Sequence, residues 1–126
     1  MKTFSKLVLF AIITGSLSAY ADLKAFTKAE YDAALKAGRT VVVDFHADWC
    51  PTCRKQEPLI NEIVKSKGYE NIVALKANYD DESDLKRSLN VSRQSTVVVF
   101  KNGKEVGRNT GATNKEDLKK LIDLGV

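Results

Sequence analysis

Apolar runs and helical spacings alternate along this chain in a pattern typical of an α/β domain. Residues 40–45, 72–77 and 96–101 are apolar runs rich in β-branched side chains and without alternation, which predicts strands covered on both faces. The Asn-Gly pair at 102–103 is a strong hairpin signal, so residues 104–109 are predicted to return antiparallel to the third strand. The sheet is therefore predicted to be mixed.

Helices are predicted before, between and after these strands. Thr27 and Glu30 have the spacing of a capping box, in which two side chains satisfy free N–H groups at the start of a helix. This box predicts that the domain begins with a helix, and Gly38 is a suitable end for it. The other predicted helices begin at the Cys50 turn and end by Gly68, cover residues 81–89, and follow a second capping box at Thr113 and Glu116.

Residues 1–21 have the features of an export signal. Lys2 and Lys6 provide a positive start, residues 7–13 are apolar, and Ala-Tyr-Ala at 19–21 is a small-x-small cleavage site. Cleavage after Ala21 would leave one domain of residues 22–126. An uncleaved anchor is the alternative, but the apolar run is shorter than the roughly 20 residues that span a bilayer. We therefore expect no stable membrane insertion after cleavage, and the short signal favours a bacterial periplasm.

Composition narrows the function classes. The chain has 126 residues, 44% apolar and 29% charged, which fits a single globular domain. Its net charge of +4 falls to +2 without Lys2 and Lys6, so nucleic-acid binding has little support. The two cysteines, Cys50 and Cys53, are too few for the disulfide framework of a small secreted protein.

The Cys-Pro-Thr-Cys motif has the features that thiol-disulfide exchange requires, namely a nucleophilic thiolate and a nearby second thiol. Cys50 follows a buried strand and opens a helix, where free N–H groups stabilise a thiolate. Pro51 suits the first helical position, because no N–H is needed there. We therefore predict that Cys50 is an exposed attacking sulfur and that the more enclosed Cys53 resolves the mixed disulfide.

Two other uses of the cysteine pair remain open. Zinc normally takes four ligands, whereas the chain adds only His46 to the two sulfurs, so no metal site is predicted. An inert structural disulfide would close so short a loop that it would restrain little of the unfolded chain. A C-x-x-C motif that follows a tryptophan and a buried strand is a more specific signal for redox chemistry.

Asp44 lies inside the apolar run that precedes the motif. A carboxyl group in that setting is expected to be buried, and desolvation raises its pKa towards a value useful for proton transfer. Asp44 is therefore the candidate base, with a cap at the end of the strand as the alternative.

Residues 42–53 resemble the active-site stretch of the thioredoxin family. The resemblance extends over residues 22–126, through Pro58 in the next helix, Lys76 on a strand, the hairpin at 100–104 and the turn at Gly111. It implies a thioredoxin-like α/β fold with a central mixed sheet flanked by helices. It also implies a redox-active disulfide between Cys50 and Cys53, no bound organic cofactor, and protein thiols and disulfides as partners.

The resemblance also assigns roles around the motif. The family's residue at the position of Asp44 is a buried carboxylate that assists proton transfer at the resolving sulfur, and Lys76 would modulate it, unless it is simply a solvated strand lysine. His46 is expected only to cover the rim of the site. The implied active-site environment comprises Trp49, Pro51, Thr52, Lys76, Ser95 and Thr96.

Two positions depart from the family pattern. Pro51-Thr52 replaces the usual Gly-Pro, and this dipeptide tunes thiolate stability and redox potential. Ser95 stands where the family has a cis-proline before a threonine, and a cis bond without proline costs about 3–4 kcal/mol. Ser95 is therefore expected to be either trans, with a reshaped loop, or strained. In the family this loop faces the cysteines and pairs with substrate backbone, so we hypothesise that the Ser95 hydroxyl lies near Cys50 and helps define partner choice.

Together these features predict an exported thiol-disulfide oxidoreductase, acting as a monomeric reductant or electron relay. A membrane thiol electron transporter would supply its electrons. Reduction is favoured because no histidine lies between the cysteines, where the periplasmic oxidants have one. A periplasmic thiol oxidase or isomerase, and a noncatalytic adaptor that retains the fold, are the alternatives.

Overall fold

The computed structural model describes residues 20–126, so the predicted export signal lies almost wholly outside the described residues. Five strands and four helices form this part of the chain, and they alternate except where the last two strands follow each other in a hairpin. The strands are β1 (Leu23–Ala25), β2 (Val41–His46), β3 (Val73–Asn78), β4 (Thr96–Lys101) and β5 (Lys104–Thr110). The helices are α1 (Lys28–Lys36), α2 (Pro51–Val64), α3 (Ser83–Leu89) and α4 (Lys115–Asp123).

The strands form one mixed sheet, as predicted, and their order is β1-β3-β2-β4-β5. β1 and β2 pair with β3 in parallel, whereas β4 runs antiparallel to both β2 and β5. β2 is the central strand and all six of its residues are buried. Its register places Asp44 opposite Lys76 on β3 and Val97 on β4. The acidic residue therefore lies in the middle of the sheet.

Helices cover both faces of the sheet, which explains why its strands lack alternation. One face packs residues such as Val42 against α2 and α4. The other packs Val43 and Phe45 against α1 and α3. Side chains alternate between the two faces along a strand, so Asp44 lies on the face of Val42, which α2 and α4 cover. This placement brings Asp44 to the helix that carries the cysteines.

The hairpin between β4 and β5 has the predicted turn. Asn102 and Gly103 have φ values of 51° and 76°, and two consecutive positive φ values are the signature of the turn that matches the twist of paired strands. No helix in residues 20–126 is long and apolar enough to cross a membrane.

The prediction that the domain begins with a helix is wrong. β1 precedes α1, and its three residues form a strand only through their pairing with β3. The Thr27 cap is present and accepts a hydrogen bond from the Glu30 N–H, but the Glu30 carboxylate binds Lys24 instead of completing the box. Half of the predicted capping box is therefore made.

Three other helix ends differ from prediction. α3 begins at Ser83, two residues after its predicted start. The last helix is capped by Asn114, whose side chain accepts a hydrogen bond from the Asp117 N–H, so the box at Thr113 is wrong by one residue. α2 ends at Val64, before Gly68, and Lys65 forms its C-cap. Pro58 lies inside α2, where its missing N–H leaves the Arg54 carbonyl without a helical donor.

Candidate functional site

The cysteine pair lies where β2 leads into α2. Cys50 is the N-cap of α2, and its Sγ accepts a hydrogen bond from the Cys53 N–H at 3.2 Å. Pro51 occupies the first turn, where a missing N–H costs nothing. Cys53 lies in the first turn of the helix, and both cysteines are free thiols in this structure. The helix start thus directs a backbone N–H at the first sulfur.

The prediction of an exposed attacking sulfur is wrong, since Cys50 is only 2% exposed. It packs in a small cluster with Ala47 and Cys53, against which Tyr79 also packs. Cys53 is buried more completely still, with no exposed surface. A client sulfur must therefore displace residues that cover Cys50 in order to reach it.

The surroundings shift the pKa values of the two thiols in opposite directions. Burial raises the pKa of Cys50, but hydrogen bonds from Cys53, from Ser95 and from the N–H of Thr52 outweigh it, and the net pKa lies below the ordinary value. The pKa of Cys53 is raised, mainly by burial and then by its hydrogen bond with Cys50. Cys50 is therefore the sulfur that ionises first, which suits the attacking role.

Ser95 bridges the two sulfurs. Its Oγ lies 3.2 Å from Cys50 Sγ and 3.0 Å from Cys53 Sγ. No peptide bond in residues 20–126 is cis, and Ser95 has a φ of 64°, a left-handed conformation that costs a residue with a side chain about 1–2 kcal/mol. Ser95 is therefore trans, and its strain lies in the positive φ instead of in a cis bond.

The other residues of the implied environment surround this centre. Trp49 is 59% exposed, and its Nε1 donates to Asp80 at 2.8 Å. Thr96 is buried on β4, where its hydroxyl donates to the Arg93 carbonyl at 2.8 Å and lies 2.9 Å from the Thr110 hydroxyl. Trp49 thus presents a large aromatic surface beside the motif, while Thr96 fixes the end of the Ser95 loop.

Asp44 is fully buried, and neither of its carboxylate oxygens has a hydrogen-bond partner among the described residues. Its position in the middle of β2 removes the alternative of a strand-end cap. Burial, with a further contribution from the negative charge of Glu57, raises its pKa to about 7, although the charge of Lys76 opposes the shift. Asp44 can therefore gain or lose a proton near neutral pH.

Glu57 is a residue of this site that the sequence analysis missed. It accepts a hydrogen bond from Lys76 Nζ at 2.9 Å and lies 3.5 Å from Nε2 of His46. The same histidine nitrogen lies 2.9 Å from Asp48. Lys76 is therefore neither a free strand lysine nor a direct partner of Asp44, and nothing in the sequence reveals the pairing, because it depends on how α2 lies over β3.

Gln56 is a second missed residue, fully buried on α2. Its Nε2 donates to the Ser95 carbonyl at 3.1 Å. A signal for it exists, because Gln56 lies three residues after Cys53 and four before Ile60, the spacing of the buried face of a helix. A polar residue on that face indicates a specific internal partner.

The described residues include no group of three or more histidine, cysteine, aspartate or glutamate side chains that could hold a metal ion. His46 is directed at two carboxylates instead of the sulfurs. The arrangement is thus a sulfur of lowered pKa, a buried second thiol and, on the sheet face that α2 covers, a buried carboxyl group whose pKa is about 7. These are the groups that thiol-disulfide exchange uses.

The family model described as Thioredoxin matches residues 22–124. A thioredoxin of Ictalurus punctatus is 39% identical over 95 residues, which cover 74% of this chain and 88% of that protein. Thioredoxin-2 of Saccharomyces cerevisiae is 38% identical, over 77% of this chain and 91% of its own.

Solved structures of thioredoxin-like proteins also resemble this chain. Trxlp from Edwardsiella tarda has a TM-score of 0.77 at 30% identity, covering 80% of this chain and 98% of that one. The oxidised thioredoxin from Plasmodium falciparum has a TM-score of 0.67 at 31% identity, covering 81% and 95%. With its sheet order, its cysteine pair and these relatives, the chain belongs to the thioredoxin family of thiol-disulfide oxidoreductases.

Proposed function

We propose that this chain is an exported reductant or electron relay that exchanges its dithiol with protein disulfides. The observation that carries the exchange chemistry is the hydrogen bonding at the Cys50 sulfur, which lies 3.2 Å from the Cys53 N–H and 3.2 Å from the Ser95 hydroxyl. These bonds lower the pKa of Cys50, whereas burial raises that of Cys53. The direction, reduction of the client, is proposed from the likeness to thioredoxins. A thiolate is the nucleophile in exchange, whereas a protonated second thiol does not compete with it. The two sulfurs therefore act in order.

The reaction proceeds in two balanced steps. The Cys50 thiolate attacks a client disulfide, so that one client sulfur joins Cys50 and the other leaves as a thiolate. Cys53 then loses its proton, with Asp44 as the proposed acceptor, and attacks Cys50. The Cys50–Cys53 disulfide forms, the second client sulfur leaves, and two electrons have passed to the client.

Export and electron supply complete the proposal. The positive start, apolar run and small-x-small site of residues 1–21 support secretion to the periplasm with cleavage after Ala21. A membrane thiol electron transporter would then re-reduce the disulfide. A monomer is supported by the sheet edges, because β1 has only three residues and the opposite edge strand carries charged side chains such as Lys104 and Arg108.

Periplasmic protein is expected to begin at Asp22. N-terminal sequencing of protein recovered from fractionated source cells measures this directly. Full-length protein in the membrane fraction would contradict export of a cleaved domain, and the alternative of an uncleaved anchor would replace it.

A second candidate, a thiol oxidase, has one observation in its favour. Stabilising the Cys50 thiolate stabilises the reduced protein, and this raises the reduction potential. Equilibration with glutathione buffers separates the two candidates. We expect a potential below about −150 mV for a reductant, on the scale that runs from thioredoxin to the periplasmic oxidants. A higher value would assign the protein as an oxidant.

Insulin reduction driven by dithiothreitol distinguishes either enzyme from an adaptor. The chain is expected to accelerate precipitation of the insulin B chain above the rate with dithiothreitol alone. If the native protein gives no acceleration, the noncatalytic adaptor is the better assignment.

A further inference from the structure

The Ser95 hydroxyl is the one side-chain group, among the described residues, that lies within hydrogen-bond distance of both sulfurs, at 3.2 Å from Cys50 and 3.0 Å from Cys53. A hydroxyl has a single proton to donate but can also accept. It can therefore donate to only one thiolate at a time, while it accepts from the S–H of the other cysteine. The reduced site thus permits a chain from the Cys53 S–H through the hydroxyl to the Cys50 thiolate.

Three hydrogen bonds hold the backbone of Ser95. The Ser95 N–H donates to the Phe45 carbonyl at 2.9 Å, and the Ser95 carbonyl accepts from the Gly111 N–H at 3.0 Å. The buried amide of Gln56 donates to the same carbonyl at 3.1 Å. These bonds fix the left-handed backbone, and the O–H can rotate about the Cβ–Oγ bond. Such rotation reorients one hydrogen bond and leaves both oxygen–sulfur distances unchanged.

We propose that Ser95 is a catalytic residue whose O–H donates first to the Cys50 thiolate and then, after rotating, to the Cys53 thiolate as it forms. The inference rests on the proposed function, because it concerns the two steps of that exchange. In the attack step the hydroxyl stabilises the Cys50 thiolate. Once Cys50 is joined to the client, its sulfur carries no negative charge and no longer needs the donor.

The second step then uses the same proton donor. Cys53 gives its proton to the carboxylate of Asp44, and the Ser95 O–H turns towards the new thiolate, which attacks Cys50 and expels the client sulfur. The hydroxyl proton stays on Oγ throughout, so no bond to Ser95 forms or breaks. Its hydrogen bond lowers the pKa of Cys50 and opposes the rise in the pKa of Cys53.

Reaction of the reduced full chain with 5,5′-dithiobis(2-nitrobenzoic acid) resolves the two steps. Attack by Cys50 releases the first thionitrobenzoate in a phase that depends on reagent concentration. Resolution by Cys53 releases the second in a phase that does not. Ser95→Ala removes the hydroxyl and retains a side chain at the positive φ. Ser95→Gly removes the hydroxyl and relieves the strain, and Ser92→Ala, on the same loop but exposed, is the matched control.

We expect both Ser95 variants to slow both phases by about three- to tenfold and to raise the pKa of Cys50 by about one unit, because a hydrogen bond to a charged group is lost. Slowing of only threefold is expected if the raised pKa of Cys50 also makes its thiolate a better nucleophile, because this offsets part of the loss. Ser92→Ala should match the wild type. Thermal melting of each variant reports its folding separately.

Three results would overturn the proposal. A wild-type rate in Ser95→Gly with a slow Ser95→Ala would assign the effect to backbone strain. Slowing of the first phase alone would restrict the hydroxyl to Cys50, and unchanged phases in both variants would remove its role altogether. If the wild-type protein itself releases no thionitrobenzoate, the proposed function fails with it, which is a distinct outcome from active protein with unaffected variants.

Discussion

A Cys50→Ser variant is expected to reduce insulin no faster than dithiothreitol alone while remaining folded. A serine hydroxyl is not ionised near neutral pH, so the attacking nucleophile is lost. The fold should persist, because serine is a preferred N-cap and its hydroxyl can accept the Cys53 N–H bond that the sulfur accepts now. The measurements are the insulin assay and thermal melting of the same preparation.

Cys53→Ala is the complementary variant. It keeps the attacking thiolate but lacks the resolving sulfur, so a client should remain joined to Cys50 as a mixed disulfide that a thiol reagent releases. Mass spectrometry of non-reduced complexes from the source cell would identify the clients. If the Cys50→Ser variant kept its turnover, or if it trapped clients through Cys53, the assigned order of the two sulfurs would be contradicted.

An Asp44→Asn variant is expected to be more stable than the wild type at alkaline pH. The pKa of Asp44 is about 7 in the folded protein and about 3.9 in an unfolded chain. Between these values the folded state holds a proton that the unfolded state has lost, so wild-type stability falls as pH rises through this window. The full penalty, reached above about pH 7, is on the order of 4 kcal/mol, and asparagine does not incur it.

Denaturant unfolding of both proteins at about pH 4 and about pH 9 measures this effect. At the lower pH the carboxyl is neutral in the folded state and only about half ionised in the unfolded chain, so the penalty is small and the two proteins should differ little. The gap should widen by about 3–4 kcal/mol at the higher pH. A gap that is independent of pH would show that Asp44 does not titrate as described.

The same variant should be slower in the resolution step. Loss of a general base typically reduces a rate by about a hundredfold or more. In the two-phase reaction with 5,5′-dithiobis(2-nitrobenzoic acid), Asp44→Asn should slow the second phase and leave the first nearly unchanged. Equal slowing of both phases would indicate a general effect of the substitution on the site and contradict a role confined to Cys53.

Much of the sheet could be predicted because its strands are encoded locally. Three apolar β-branched runs gave the central strands within one residue of their ends, and the Asn102-Gly103 turn gave the hairpin. β1 could not be found this way, because three residues with two exposed side chains form a strand only by pairing with β3. At α4, two adjacent residues suit an N-cap, and the folded backbone selects Asn114.

The site residues, like the strands, differ in whether the sequence alone reveals them. The Cys-x-x-Cys motif identifies Cys50 and Cys53 from the sequence alone. The apolar run around Asp44 likewise predicts the burial that the structure shows. Glu57 contacts Lys76 and His46 only once α2 packs across the sheet. In the sequence, Glu57 therefore looks the same as a helical residue that faces solvent. The low exposure of Cys50 likewise arises from tertiary packing that a helix start alone does not specify.

The buried carboxylate of β2 also affects the chain before it folds. Asp44 is the only charged residue in the run Val41 to Phe45, and in an unfolded chain at neutral pH it is ionised. A negative charge in the middle of a short, strongly β-forming apolar segment discourages stacking with identical segments of other molecules. The residue that weakens the native state thus also helps to keep newly made chains from aggregating, and a substitution that raises stability would remove that protection.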